Sequence, residues 1–205
     1  MGSRETNRIM VKAITRDDIM DMADYAKVRK EHRRNTTKMK RDRRVAVGPD
    51  ATFYFESYDT MWHQIHEMLY IERGGEEQII DELAAYNPLI PKGRELIATL
   101  MFEIDEPERR ESVLAGLGGV EETVCLYLGG EVIRAEAETD VDRSSVDGKA
   151  SSVHFLHFPF SDDGVALFGD PSVKVILAIE HEKYPHMSLL SEAARVALQG
   201  DFSYD

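Results

Sequence analysis

The sequence predicts an α+β fold: a mostly antiparallel or mixed sheet of about six strands, with a long N-terminal helix and several shorter packing helices. Three observations carry this. Apolar runs with strand character do not alternate regularly with long helical patterns, which excludes a doubly wound parallel sheet. Leu96 to Ile104 is apolar on both faces, with Leu96, Ala98, Leu100, Phe102 and Ile104 on one side and Ile97 and Met101 on the other, as in a central strand covered twice. Gly129-Gly130 separates two strand-like runs, Val124–Leu128 and Glu131–Glu138, and predicts a tight type I′ hairpin.

The elements follow in order. A helix opens at Thr15, where Thr15 and Asp18 have capping-box spacing and Ile14 and Ile19 can staple the turn. Its apolar stripe is Ile19, Met22, Ala23 and Ala26, and it ends by Val45, before the Gly48-Pro49-Asp50 turn. Thr52 to Glu56 alternates and is aromatic, hence a strand. A second helix runs from Tyr58 to Glu72 and stops at Gly74-Gly75; a third, from Glu76 to Tyr86, carries Ile79, Ile80 and Leu83 on one side and stops at Asn87-Pro88. Pro107 begins a short helix that Gly118-Gly119 ends. Val153–Phe160 and Val173–Glu180 are two more strands, with a polar loop, Asp140–Lys149, before them. Ser191 caps a last helix.

Residues 14–202 read as one α+β domain, and residues 1–13 as a disordered or tag-derived start. The lone cysteine, Cys125, excludes an intrachain disulfide and a thiolate metal cage. With no apolar leader and no run near the ~20 residues of a bilayer span, the expectation is a cytoplasmic protein.

Charge is distributed unevenly. Lys27 to Arg44 holds ten of the 25 basic residues and only two of the 38 acidic ones, so this segment is +8 and the rest of the chain −21. Lys30/Arg34 and Arg29/Arg33 stack like charges four residues apart, which weakens an isolated helix by ~0.2–0.5 kcal/mol per pair. The expectation is therefore that the chain's own acids, or those of a homodimer partner, neutralise most of the segment. An anionic ligand held by Arg33, Arg34, Arg41 and Arg44 is the next reading. Nucleic acid is disfavoured because no aromatic residue interrupts Lys27–Arg44.

On the second helix Met61, Trp62, Ile65, Met68 and Leu69 form the core face, His63, Glu67 and Tyr70 lie opposite, and His66 sits at the boundary. His63 and Glu67, four residues apart, can meet, and imidazole plus carboxylate can hold a divalent metal (iron, manganese or zinc) or orient a general base. His66, Glu72 and Glu56 are further candidate ligands. The plainer account is a solvated polar face, with Glu72 at a frayed helix end. Tyr70 and His181, the latter at a strand exit, are candidate ligand contacts. His154 and His157 point to opposite faces of one strand and cannot share an ion. Asp140-x-Asp142-x-Ser144 lacks the glycine and final glutamate of a calcium loop.

Ile14–Tyr25, Phe55-Glu56, Ile65–Leu69, Glu82–Ile90 and Ile179–Tyr184 resemble an uncharacterised bacterial family, domain of unknown function 3501, over about Ile14 to Phe202. The resemblance carries over no catalytic residues. Rubrerythrin-like and iron–sulfur oxidoreductase proteins are often encoded near members, which implies those proteins as partners and a part in redox or oxidative-stress metabolism. The resulting expectation is an accessory or binding protein, with a metal-binding protein or metal-dependent enzyme as the alternative.

Overall fold

The computed structural model describes residues 13–138 and 150–202. The expected N-terminal extension, apart from Ala13, and the polar loop with its weak calcium-like spacing lie outside the described residues. After a 3-10 turn at Arg16–Asp18 come α1 (Met22–Asp42), β1 (Arg44–Val47), β2 (Ala51–Phe55), α2 (Tyr58–Glu72), α3 (Gly75–Tyr86), β3 (Glu95–Phe102) and α4 (Pro107–Ala115). Then follow β4 (Val124–Leu128), β5 (Glu131–Arg134), β6 (Glu136–Ala137), β7 (Val153–Pro159), α5 (Asp162–Gly169), β8 (Val175–His181), β9 (Tyr184–Leu189) and α6 (Glu192–Gln199). The fold is α+β, as the sequence predicts.

The strands form two antiparallel sheets, of order β1-β2-β3-β7-β6 and β5-β4-β8-β9. The expectation of about six strands is corrected in number. β1 was hidden at the end of the basic run, and β9 contains Pro185 and reads as a turn. Pro185 is tolerated because β9 is paired on one side only, with β8, so a missing N–H can face away from the ladder. α5 was also hidden, by Gly164 inside its first turn, although Ser161 caps it by accepting from the Gly164 N–H at 3.0 Å.

The two sheets wrap one core. β5 pairs with β4 and β6 with β7, so the chain passes from one sheet to the other at Ala135, whose N–H donates to the Val124 carbonyl at 2.9 Å. On the far side the buried Tyr184 hydroxyl accepts from the Asp50 and Ala51 N–H groups at 2.9 Å and donates to the Val47 carbonyl at 3.0 Å. That staple closes on the Gly48 turn, where φ is +72° and a Cβ would stand 2.6 Å from the His186 ring. In the hairpin after β4, Gly129 takes a positive φ of 62° and Gly130 does not, so the turn is not type I′.

Phe53, Phe55, Leu96, Ala98, Leu100, Leu126, Leu156, Phe158 and Leu177 fill the space between the sheets. Ile97 on the outer face of β3 joins a second core with Ile14, Ile19, Met61, Ile65, Leu69 and Ile79. The twice-covered central strand is therefore present, and its outer cover is the helical layer. On α3, Ile79 is buried and Ile80 is exposed. The expected helix at Thr15 is instead a 3-10 turn. Thr15 and Asp18 bond as anticipated (Thr15 N–H to Asp18 Oδ2, 2.8 Å), but α1 starts anew at Asp21, which accepts from the Ala23 N–H at 2.8 Å.

Candidate functional site at the α1–α2 seam

The face that α1 turns inward is not the alanine stripe; Ala23 and Ala26 are exposed. Tyr25, Arg29, His32, Thr36, Met39 and Arg43 recur at alternating spacings of four and three residues, and each is at least half-buried. This is helical-seam periodicity written in polar and aromatic residues. The polar side of α2 packs against it, which corrects the solvated-face reading of His63, Glu67 and Tyr70.

Glu67 is the hub. Its carboxylate accepts two parallel bonds from Arg29 (Nε to Oε1 and Nη2 to Oε2, both 2.8 Å) and one from the Tyr25 hydroxyl at 2.9 Å. The Arg29 fork, then the Tyr25 hydroxyl, hold the Glu67 carboxyl below the usual range against the opposing effect of burial. Burial, then the bond to Glu67, pushes the fully enclosed Tyr25 phenol up. Arg29 also lies over the Tyr70 ring, 4.4 Å from its centroid. His63 Nδ1 is 3.4 Å from the Tyr25 hydroxyl, and burial depresses its pKa.

His66 is wholly buried and both its ring nitrogens are engaged: Nε2 accepts from the Met20 N–H at 3.1 Å and Nδ1 donates to the Trp62 carbonyl at 2.7 Å. That pattern requires the neutral ring, in keeping with a pKa lowered by burial. Tyr25, His66, Trp62 and His32 form a ladder of rings with successive centroids 4.9, 3.7 and 5.0 Å apart.

Of the candidate metal ligands, His63 and Glu67 meet at the Tyr25 hydroxyl, 3.4 and 2.9 Å from it, and the others are set apart. His66 has no free nitrogen, and Glu67 is bound to Arg29. Glu56 is buried between the Thr60 and Thr99 hydroxyls (2.7 and 2.8 Å). Glu72 is exposed and accepts from Gln78 Nε2 at 2.9 Å, as a carboxylate at a helix end would. Among the described residues no group of three or more His, Cys, Asp or Glu is placed to hold a metal ion. Cys125 is buried, and burial raises its pKa.

Three of the candidate ligand contacts do converge. Arg33, Arg34 and Tyr70, with Arg29, Lys30 and Ala26, line a shallow groove of about 410 Å³ beside the seam. Glu67, bonded to Arg29, stands 4.0 Å from Arg33 Nε. Lys30 and Arg34, and farther along the helix Lys38 and Lys40, make no ion pair with a described residue. Self-neutralisation is therefore partial. It covers Lys27 (Asp24), Arg29 (Glu67), Arg41 (Asp42), Arg43 (Asp201) and Arg44 (Glu103), and leaves the Lys30–Arg34 ridge in excess. Arg41 and Arg44 are not in the groove. His181 lies on β8, where Nδ1 accepts from the Lys183 N–H at 3.2 Å.

Sequence reasoning missed Tyr25, His32, Arg43 and Asp201. Arg43 is buried at the end of α1 and donates to the carbonyls of Phe55 (3.0 Å), Glu56 (2.7 Å) and Ala197 (3.0 Å) and to the Asp201 carboxylate. The four-and-three spacing from Tyr25 to Arg43 was the available signal, masked because its members are not aliphatic.

The chain matches, over residues 13–202, the family described as "Protein of unknown function (DUF3501)", and belongs to it. It is also similar to a crystal structure described as a novel protein of unknown function from Burkholderia pseudomallei K96243. The two are 34% identical with a TM-score of 0.86, covering 94% of this chain and 100% of that one. No curated protein matches. Among the described residues no helix is long and apolar enough to cross a membrane.

Proposed function

We propose that this chain is an accessory binding protein that docks the acidic face of a partner protein along α1. The observation that carries the reading is the exposed ridge of Lys30, Arg33 and Arg34, continued by Lys38 and by Arg41, the last in an exposed pair with Asp42, on a chain whose remainder is strongly acidic. From Lys30 to Arg41 the ridge runs about 16 Å along the helix at 1.5 Å per residue. A line of exposed cations of this length suits a low-area, electrostatically steered encounter, the mode of many redox partners. Rubrerythrin-like and iron–sulfur oxidoreductase proteins are the partners to test first, because the family resemblance points to them.

The test is association of the purified chain with such a partner across a salt series. Binding should weaken steeply with salt and vanish when Lys30, Arg33 and Arg34 are all changed to Glu. Binding that survives the triple reversal overturns the reading. So does salt-sensitive self-association of the chain alone, which would assign the ridge to a homodimer.

A further inference from the structure

The opposite flank of α1 holds a second cleft, of about 460 Å³, in which the ring ladder ends. His32 and Trp62 form one wall, Met39 and Tyr58 contribute apolar surface, and Asn35 and Asp59 supply polar groups. Unlike the groove lined by Arg29, Lys30, Arg33 and Arg34, this cleft is lined by no Lys or Arg, and it sets the neighbouring rings of His32 and Trp62 beside a carboxylate. Asn35 and Asp59 stand exposed at the rim of the cavity and His32 is half-buried in its wall, and the side chains of all three make no hydrogen bond or ion pair with another described residue. Their neighbours behave otherwise: Trp62 Nε1 donates to the Asp18 carbonyl at 2.9 Å, and His66 is saturated. The ladder is held rigidly from within by Tyr25 and His66, both fully buried, so its outer end is a preorganised stacking platform.

We propose that this cleft binds a planar nitrogen heterocycle with two adjacent N–H donors, of the guanine type. The ring adds to the ladder beside His32 and Trp62. The Asp59 carboxylate accepts from the paired ring N–H and exocyclic amino group, and Asn35 can serve a carbonyl on the same ring. A carboxylate facing two parallel donors makes a charge-assisted bidentate contact, which adenine, with no ring N–H beside its amino group, cannot complete. The site is independent of the ridge on the other flank and needs none of its cations.

The chain has a single tryptophan, Trp62, and it lines the cleft, so indole fluorescence reports occupancy directly. Titration with guanosine should give a saturable change in emission, confirmed by calorimetry. Adenosine should bind weaker by roughly tenfold, as the loss of one charge-assisted hydrogen bond requires. Asp59→Asn should lose the response while staying close to the wild-type thermal midpoint, because its side chain is exposed and makes no hydrogen bond with a described residue; His32→Ala should lose it too, with a lowered midpoint because its ring contact with Trp62 goes as well. The Lys30/Arg33/Arg34 reversal should leave guanosine binding unchanged, which separates this site from the docking ridge. No saturable signal with guanosine, an equal affinity for adenosine, or full guanosine binding by Asp59→Asn would each overturn the assignment.

Discussion

Arg43 and Arg33 stand ten residues apart in one basic run, yet the fold uses them in opposite ways. Arg43 is 5% exposed and spends its guanidinium on three carbonyls and the Asp201 carboxylate, joining the end of α1 to β2, the start of α2 and α6. Arg33 is exposed, four ångströms from a carboxylate already taken by Arg29. A count of charge along the chain cannot separate the two. What separates them is whether the surrounding backbone leaves orphan acceptors: the strand-to-helix connection at Phe55–Ser57 and the end of α6 do, and the outer face of α1 does not. Burial converts the same side chain from a recruiting charge into a structural tie.

The largest expected effect tests the buried end. Arg43→Ala would strand Asp201, whose carboxyl burial already pushes up against the opposing pull of Arg43, together with three acceptors. Removing one partner of a buried pair costs about 3–5 kcal/mol. Urea unfolding should show that loss, and one below about 1 kcal/mol would mean that water replaces the guanidinium freely. Next in size is Tyr25→Phe at the middle of the seam, which deletes the donor to Glu67 and the longer contact with His63 Nδ1 and should cost about 1.5–3 kcal/mol, the range for a hydrogen bond to a charged group. A double-mutant cycle with Glu67→Gln should show coupling between the two sites; strict additivity would mean that the Tyr25–Glu67 bond contributes nothing.

These two sites also mark where the sequence stopped being legible. β3 could be read on both faces because Ile97 and its neighbours are aliphatic and alternate with period two. Asn87-Pro88 and the Ser191 cap were legible because their backbone chemistry is local. The seam was not: Tyr25, Arg29, His32 and Arg43 follow a helical period as faithfully as any leucine stripe, but pattern reading assigns polar residues to solvent. Arg43 and Asp201 are separated by 158 positions, and no local spacing announces that pair. Of the candidate sites, Arg33, Arg34 and Tyr70 came together, since consecutive positions on one turn of α1 put the two arginines alongside a residue of α2. The metal candidates separated because His66, Glu67 and Glu56 each satisfy a different local partner.

Two histidine environments sharpen the comparison through pH. His157 on β7 lies between Glu95 (Nδ1 to Oε2, 3.0 Å) and Glu138 (Nε2 to Oε1, 3.2 Å), and the hydrogen bond to Glu95, with that to Glu138, raises its pKa above the ordinary value. Its contribution to stability is complete below the unfolded value of about 6.5 and is lost as pH rises through the folded one. His63 and His66 have the opposite sign: burial lowers their pKa, so their contribution holds above about 6.5 and is lost as pH falls from there through the folded values. Unfolding free energy measured across this range should therefore show His157→Gln costing most at acidic pH and progressively less as pH rises. A cost that grows with pH would place a neutral imidazole between the carboxylates.

The smallest effect on stability is expected at the exposed ridge, where the effect on association should be largest. Lys30 and Arg34 repel each other at i,i+4 and have no described carboxylate to offset that repulsion, so the segment carries a conformational cost without a return inside the chain. Replacing Arg34 by Gln should leave the urea midpoint unchanged or raise it slightly, and the shift should shrink with added salt because screening removes the repulsion. If instead Arg34→Gln lowers the midpoint as Arg43→Ala does, the ridge is tied down within the molecule, the distinction between the two ends of the basic run disappears, and with it the reason to look for an acidic partner on α1.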